Sequence, residues 1–141
     1  LLDKNRNHGL PPFLAHDPGV DSGLMIAQYT QAGLVSDCKR LAVPASVDSI
    51  PSSAMQEDHV SMGWHAGRKL RSAISNLSTI IAIEFMAASR GIELRAPLSP
   101  AETTGELVRE LRLTTSGPGP DQFLAPEIEA SRKFVKSKFL N

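Results

Sequence analysis

The densest group of side chains able to do chemistry is Gln56-Glu57-Asp58-His59, followed by Val60-Ser61-Met62-Gly63. A carboxylate can take a proton or pair with an imidazole or ammonium group, provided a rigid scaffold holds it. Ser53 with Gln56 three residues later fits a capping box, so the spacing predicts a helix opening at Ser53. Glu57 and Asp58 then fall in its first turns, where the positive helix end favours acids. Acids so placed are more often ordinary capping chemistry than catalysts, and spacing alone leaves both readings open.

Other candidate chemistry is weaker. His59 and His65 are six apart and so lie on different sides of a helix. Neither the i, i+4 histidine pair of a zinc helix nor a cysteine pair occurs, and no metal is expected. Cys38, the single cysteine, reads as a small core residue and fits a reducing, cytoplasmic setting. Tyr29, the single tyrosine, reads as a packed aromatic. No serine sits in a Gly-x-Ser-x-Gly setting. The basic run Lys133 to Lys138 reads as a solvated helix end.

The elements that must position Glu57 are helical. Residues 1–21 hold Gly9, Pro11, Pro12, Pro18 and Gly19, which predicts an irregular lead-in anchored by Leu10, Phe13 and Leu14. Ser22 to Ser36 contain no charged residue, and apolar side chains recur at 3–4 spacing on more than one face. This predicts a bundle helix over 22–41, capped by Ser22 and buried on most sides. Pro44 and Pro51 mark a connector. Val60, Gly63, Gly67, Leu70, Ile74, Leu77 and Ile81 then form a bundle-type seam on a long helix over 53–91, stopped by Gly91. Shorter helices fill 101–141: Thr103 with Glu106 opens one, and Pro126 begins the last, with basic residues toward its end. The fold class is all-α.

Charges balance, 15 Lys and Arg against 15 Asp and Glu. This gives no electrostatic reason to expect nucleic acid or an anionic membrane. Gln, Ser and Thr interrupt the apolar stretches short of the ~20 residues that span a bilayer. The opening Leu-Leu-Asp-Lys-Asn-Arg lacks a signal-peptide layout and reads as a mid-chain beginning. Two long, widely apolar helices exceed what 141 residues can cover, which predicts a larger bundle made with further chain or further subunits.

At residues 44–63 the chain resembles a known family. Pro44-Ala-Ser-Val-Asp-Ser-Ile-Pro51 and the run from Ser52 through Gln56-Glu57-Asp58-His59 to Gly63 resemble the C-terminal part of histidine ammonia-lyases. So do Asn7-His-Gly-Leu-Pro-Pro-Phe13, Ser22-Gly-Leu-Met-Ile-Ala-Gln28 and Phe123-Leu-Ala-Pro-Glu-Ile-Glu129. The resemblance implies the long-helix bundle portion of the aspartase-like ammonia-lyase fold, and non-oxidative loss of ammonia from L-histidine to give trans-urocanate. It implies a methylidene-imidazolone electrophile made from an internal Ala-Ser-Gly, and a homotetramer whose sites draw on several subunits. Glu57 matches the glutamate placed at the substrate imidazole, and so is the catalytic and substrate-binding candidate; Met25 matches a position lining the side-chain pocket. Relatives acting on phenylalanine or tyrosine resemble Gln-Asp at 57–58, so Glu57 favours histidine.

No Ala-Ser-Gly occurs in these 141 residues. The electrophile is therefore expected to form outside this chain, which alone should be inactive. Two alternatives come from other classes: a non-catalytic helical oligomerisation module, and part of a phenylalanine or tyrosine ammonia-lyase or aminomutase.

Overall fold

A computed structural model describes residues 1–139 of the chain; the last two residues of the predicted 101–141 segment lie outside the described residues. Among the described residues four α-helices follow one another: α1 (Met25–Leu41), α2 (Gly63–Glu93), α3 (Glu102–Leu111) and α4 (Ala125–Phe139). A short 3-10 turn, Pro12–Leu14, precedes them. No strand occurs among the described residues, only two isolated bridges, Pro18 with Asp21 and Ser52 with Glu57.

α2 is the spine. Its 31 residues make a rod of about 46 Å at 1.5 Å per residue, and both α1 and α4 pack against it. The core gathers at one end of that rod, where Ile83 and Met86 meet Ala27 of α1, Leu24 just before it, and Leu10 and Leu14 of the lead-in. The lead-in is irregular because its breakers forbid a regular element, yet Leu14 is 0% exposed. Buried Asn7 holds its shape, donating from Nδ2 to the carbonyl of Leu10 at 2.9 Å. Gly91 is a packing residue rather than a helix stop. α2 runs on to Glu93, and a β-carbon at Gly91 would lie 3.6 Å from Cδ1 of Leu10.

The remaining helices are fastened to that same end. Arg112 donates from Nε to Oε1 of Glu93 at 2.9 Å and from Nη2 to Oε2 at 2.6 Å, the two-pronged geometry that suits guanidinium to carboxylate. Phe85 of α2 stacks on Phe134 of α4 with centroids 5.5 Å apart.

α2 begins ten residues later than the capping-box signal at Ser53 predicts. Ser53, Ala54 and Met55 all take positive φ, at 52°, 53° and 71°, which no right-handed helix accommodates. The backbone donors and acceptors of this stretch are spent locally. Ser52 and Glu57 exchange N–H···O bonds of 3.0 and 3.2 Å, and Gln56 N–H donates to the Ser53 carbonyl at 3.1 Å. A turn closed by its own bridge outcompetes the helix start.

Two apolar faces are left bare in the single chain. On α2, Leu70, Ile74, Leu77 and Ile81 form an exposed stripe. At 100° per residue, Ile81 and core residue Ile83 point to opposite sides, so the predicted seam faces away from the core. On α1 only Ala27 is fully buried, and Tyr29, expected to pack, is 69% exposed. α2 also departs from the sequence reading in hydropathy. An 18-residue window within it averages 1.3, enough by length and composition to cross a bilayer. The interruptions there are mostly Ser, Thr and Asn, whose cost Ile, Ala and Met offset.

Candidate active site

Glu57 sits six residues before the first residue of α2, not in its first turn, so the helix dipole does not account for its placement. It closes the turn 52–57 and is exposed. Its carboxylate takes no side-chain hydrogen bond or ion pair among the described residues. The connector carrying it is tied at both ends. Ser49 Oγ accepts from Val60 N–H at 2.8 Å and donates to the Val60 carbonyl at 3.2 Å. Lys69 of α2 donates to the carbonyl of Val43. Three consecutive non-glycine residues at positive φ next to an unpaired carboxylate place backbone strain beside the candidate group, where strain of about 1–3 kcal/mol per residue is commonly stored. A cleft of about 510 Å³ adjoins the start of α2, lined by Ser46, Ser49, His59, Ser61 and Met62 among others. Glu57 is not part of its lining.

Met25 is the first residue of α1 and is half-buried. Ser22, the expected cap, makes no side-chain bond to the helix start. The backbone just before the helix is instead held by Asp121, from the loop before α4. Its Oδ2 accepts the Ser22 N–H at 2.7 Å and its Oδ1 the Gly23 N–H at 2.8 Å. The Ser22 N–H is the chief reason the Asp121 carboxyl is held below its ordinary pKa; Gly23 N–H and the Arg90 guanidinium add to the effect, and partial desolvation opposes it. Asp121 is therefore ionised throughout the neutral range. Arg90 is only 7% exposed and donates from Nη2 to the Gly119 carbonyl at 2.9 Å. Burial lowers its pKa and the Asp121 charge raises it, yet a guanidinium keeps its proton.

Gly23 is required at this junction. Its φ is +58°, and an added β-carbon would stand 2.6 Å from the Phe13 carbonyl oxygen and 2.8 Å from Ala15 Cα, both backbone atoms. Gly23→Ala is expected to lower the stability of the folded chain by about 1–3 kcal/mol, read as a fall in the thermal midpoint. An unchanged midpoint would show that the backbone relaxes freely there.

The two sequence-derived candidates are not brought together. Met25 opens α1, whereas the loop of Glu57 follows its other end and is tied to the start of α2; α1 alone spans about 25 Å. Asp121 and Arg90 were not singled out from the sequence. No local signal marks Asp121, whose partner Ser22 is 99 residues away.

An all-helical chain built on one long spine, with bare apolar faces and an unpaired glutamate on a strained loop beside the spine's start, defines a portion of a helical bundle. The chain belongs to the aromatic amino acid lyase family, whose model matches residues 1–113. It is 68% identical over 137 residues to the histidine ammonia-lyase of Streptomyces avermitilis, covering 96% of this chain and 27% of that protein. To the histidine ammonia-lyase of Streptomyces coelicolor it is 64% identical over 141 residues, covering 99% and 28%. The chain thus spans little more than a quarter of the curated relatives it matches. Among solved structures, histidine ammonia-lyase from Trypanosoma cruzi superposes with a TM-score of 0.91 at 38% identity, over 96% of this chain and 27% of that one. Tyrosine aminomutase from Streptomyces globisporus superposes at 0.85 with 35% identity, over 99% and 27%.

Proposed function

We propose that this chain is the C-terminal part of a cytoplasmic histidine ammonia-lyase, which eliminates ammonia from L-histidine to give trans-urocanate. The identity of 64–68% to histidine ammonia-lyases along nearly the whole chain carries this reading. Glu57 supports it chemically. An unpaired carboxylate on a tied loop can accept an imidazole N–H and hold the ring, or take a proton from the β-carbon. Met25 supplies an apolar wall for the substrate side chain.

Because α1 separates Met25 from Glu57, one copy of this chain cannot put both against one small substrate. A site that uses both draws them from different copies. The bare stripe Leu70–Ile81 and the bare face of α1 support the same arrangement, a homotetramer whose long helices cover one another. Helices of other copies, rather than lipid or nucleic acid, are the proposed cover.

The family resemblance implies a methylidene-imidazolone. Its Ala-Ser-Gly precursor is not among these 141 residues, so the residues here do not fit the formation of that group.

The test supplies the full-length protein with histidine, tyrosine or phenylalanine and follows the ultraviolet absorbance of the unsaturated acid that each would give, urocanate, coumarate or cinnamate. Loss of the amino acid is read alongside. Turnover of histidine well above the other two is expected. Preference for tyrosine would replace this reading with a second one, the aminomutase or aryl lyase that the Streptomyces globisporus likeness favours.

A further inference from the structure

We propose that Asp121 is a positioning residue for the substrate pocket: it fixes the start of α1, and through it the place of Met25. The consequence for substrate rests on the proposed role of Met25; the fastening itself does not.

The start of an α-helix leaves several backbone N–H groups without intrahelical partners, and these are ordinarily met by a residue just upstream. α1 has no such residue. Leu24 stands at its cap position without a side-chain bond, and its first turn holds no acid. What fixes its entry is Asp121, which does not cap the helix but takes two N–H donors of the Ser22–Gly23 segment leading into it, one on each oxygen, from nearly a hundred residues away. Charge-assisted bonds of 2.7 and 2.8 Å are the strong kind.

The fastening is closed from both sides. Asp121 N–H donates to Oδ1 of Asp21 at 3.2 Å, so the two segments exchange bonds. Beneath them buried Arg90 grips the Gly119 carbonyl and holds the loop against α2. Gly23 has no room for a side chain, so the direction of its N–H is set. Met25 lies two residues on, and its own N–H returns to the Ser22 carbonyl at 3.2 Å. Packing does not do this work on the α4 side. There a cavity of about 500 Å³ lies open between Ile26, Thr30, Phe123 and Ile128, with Asp121 at its rim. A small rotation of α1 about its axis would meet little resistance from that side, where the carboxylate opposes it and adds to the packing of Leu24 and Ala27 against α2.

The experiment compares the full-length protein with Asp121→Ala and the milder Asp121→Asn. Amide hydrogen exchange is read on the peptide spanning residues 20–28, and KM and kcat are read with L-histidine. In Asp121→Ala the Ser22 and Gly23 amides should exchange about tenfold faster, the size of a lost cap. KM should rise roughly three- to tenfold while kcat stays within about twofold, the pattern of weakened ground-state binding. Asp121→Asn should fall between, and it carries the test if the alanine variant does not fold. Unchanged exchange in both variants overturns the fastening. Faster exchange with unchanged KM overturns the link to the pocket and leaves Asp121 an ordinary clamp. If the wild-type protein does not turn over histidine, the proposed function fails and the link to the pocket with it, while exchange still judges the fastening.

Discussion

Glu57→Gln in the full-length protein is expected to reduce histidine turnover by about 10²–10⁴-fold, the usual worth of a positioned acid–base group. The substitution keeps size and shape, so the turn 52–57 should persist. Its closing bonds are backbone bonds between Ser52 and Glu57 and do not involve the carboxylate. Nothing else in the described chain leans on that carboxylate, so thermal stability and subunit association should be unaltered. Kinetics separate the two roles open to it. If Glu57 chiefly holds the imidazole in the ground state, KM rises and kcat changes little. If it takes the proton, kcat and kcat/KM fall together. Kinetics identical to wild type would remove Glu57 from the site, and with it the main chemical argument that this chain contributes to histidine chemistry.

Expressed alone, the 141-residue chain is expected to self-associate. Leu70, Ile74, Leu77 and Ile81 are 61%, 54%, 51% and 41% exposed in the single copy, on the side of α2 away from the core. With the bare face of α1 they add to the apolar surface left to water, which in soluble proteins ordinarily marks an interaction face. Sedimentation should give a concentration-dependent mass above that of one chain. Replacing Ile74 and Leu77 together by Glu should shift the distribution toward monomer, because the 4-3-4 spacing from Leu70 to Ile81 puts these side chains at the centre of the strip. A stable wild-type monomer over the micromolar range would overturn this expectation, and would weaken the case that other copies cover the helices.

Much of the architecture was legible because periodicity is a property of the chain itself. The 3–4 spacing from Gly63 to Ile81 does mark a long helix, and the charge-free run from Ser22 does mark another. The seam it marks, however, is the face turned outward in the single copy. Hydrophobic spacing reports that a face wants cover and says nothing of which molecule supplies it. The starts of both helices were misread for one reason. Ser22 and Ser53 are local capping signals, and each lost to bonds the signal does not encode. At Ser53 the competitor was a self-closed turn of positive-φ residues; at Ser22 it was a carboxylate 99 residues along. For the candidate site, Glu57 and Met25 emerged from family resemblance, since spacing alone put Glu57 on a helix it does not occupy. Asp121 and Arg90 act through distances that only folding creates.

The core lies at one end of α2, and this has a mechanical consequence. Ala82 to Gly91 are clamped by α1, α4 and the lead-in, while the half from Gly63 to Ile81 has α1 beside it, through Gln31 and, just past the end of α1, Val43, and its other flank is bare, as a beam braced on one side. The loop bearing Glu57 hangs from that less braced end. In the proposed assembly, bracing that end and delivering the carboxylate to its place are one event. Occupancy of the site and cohesion of the subunits then share a single free energy, so substrate should slow subunit dissociation as surely as dissociation abolishes turnover.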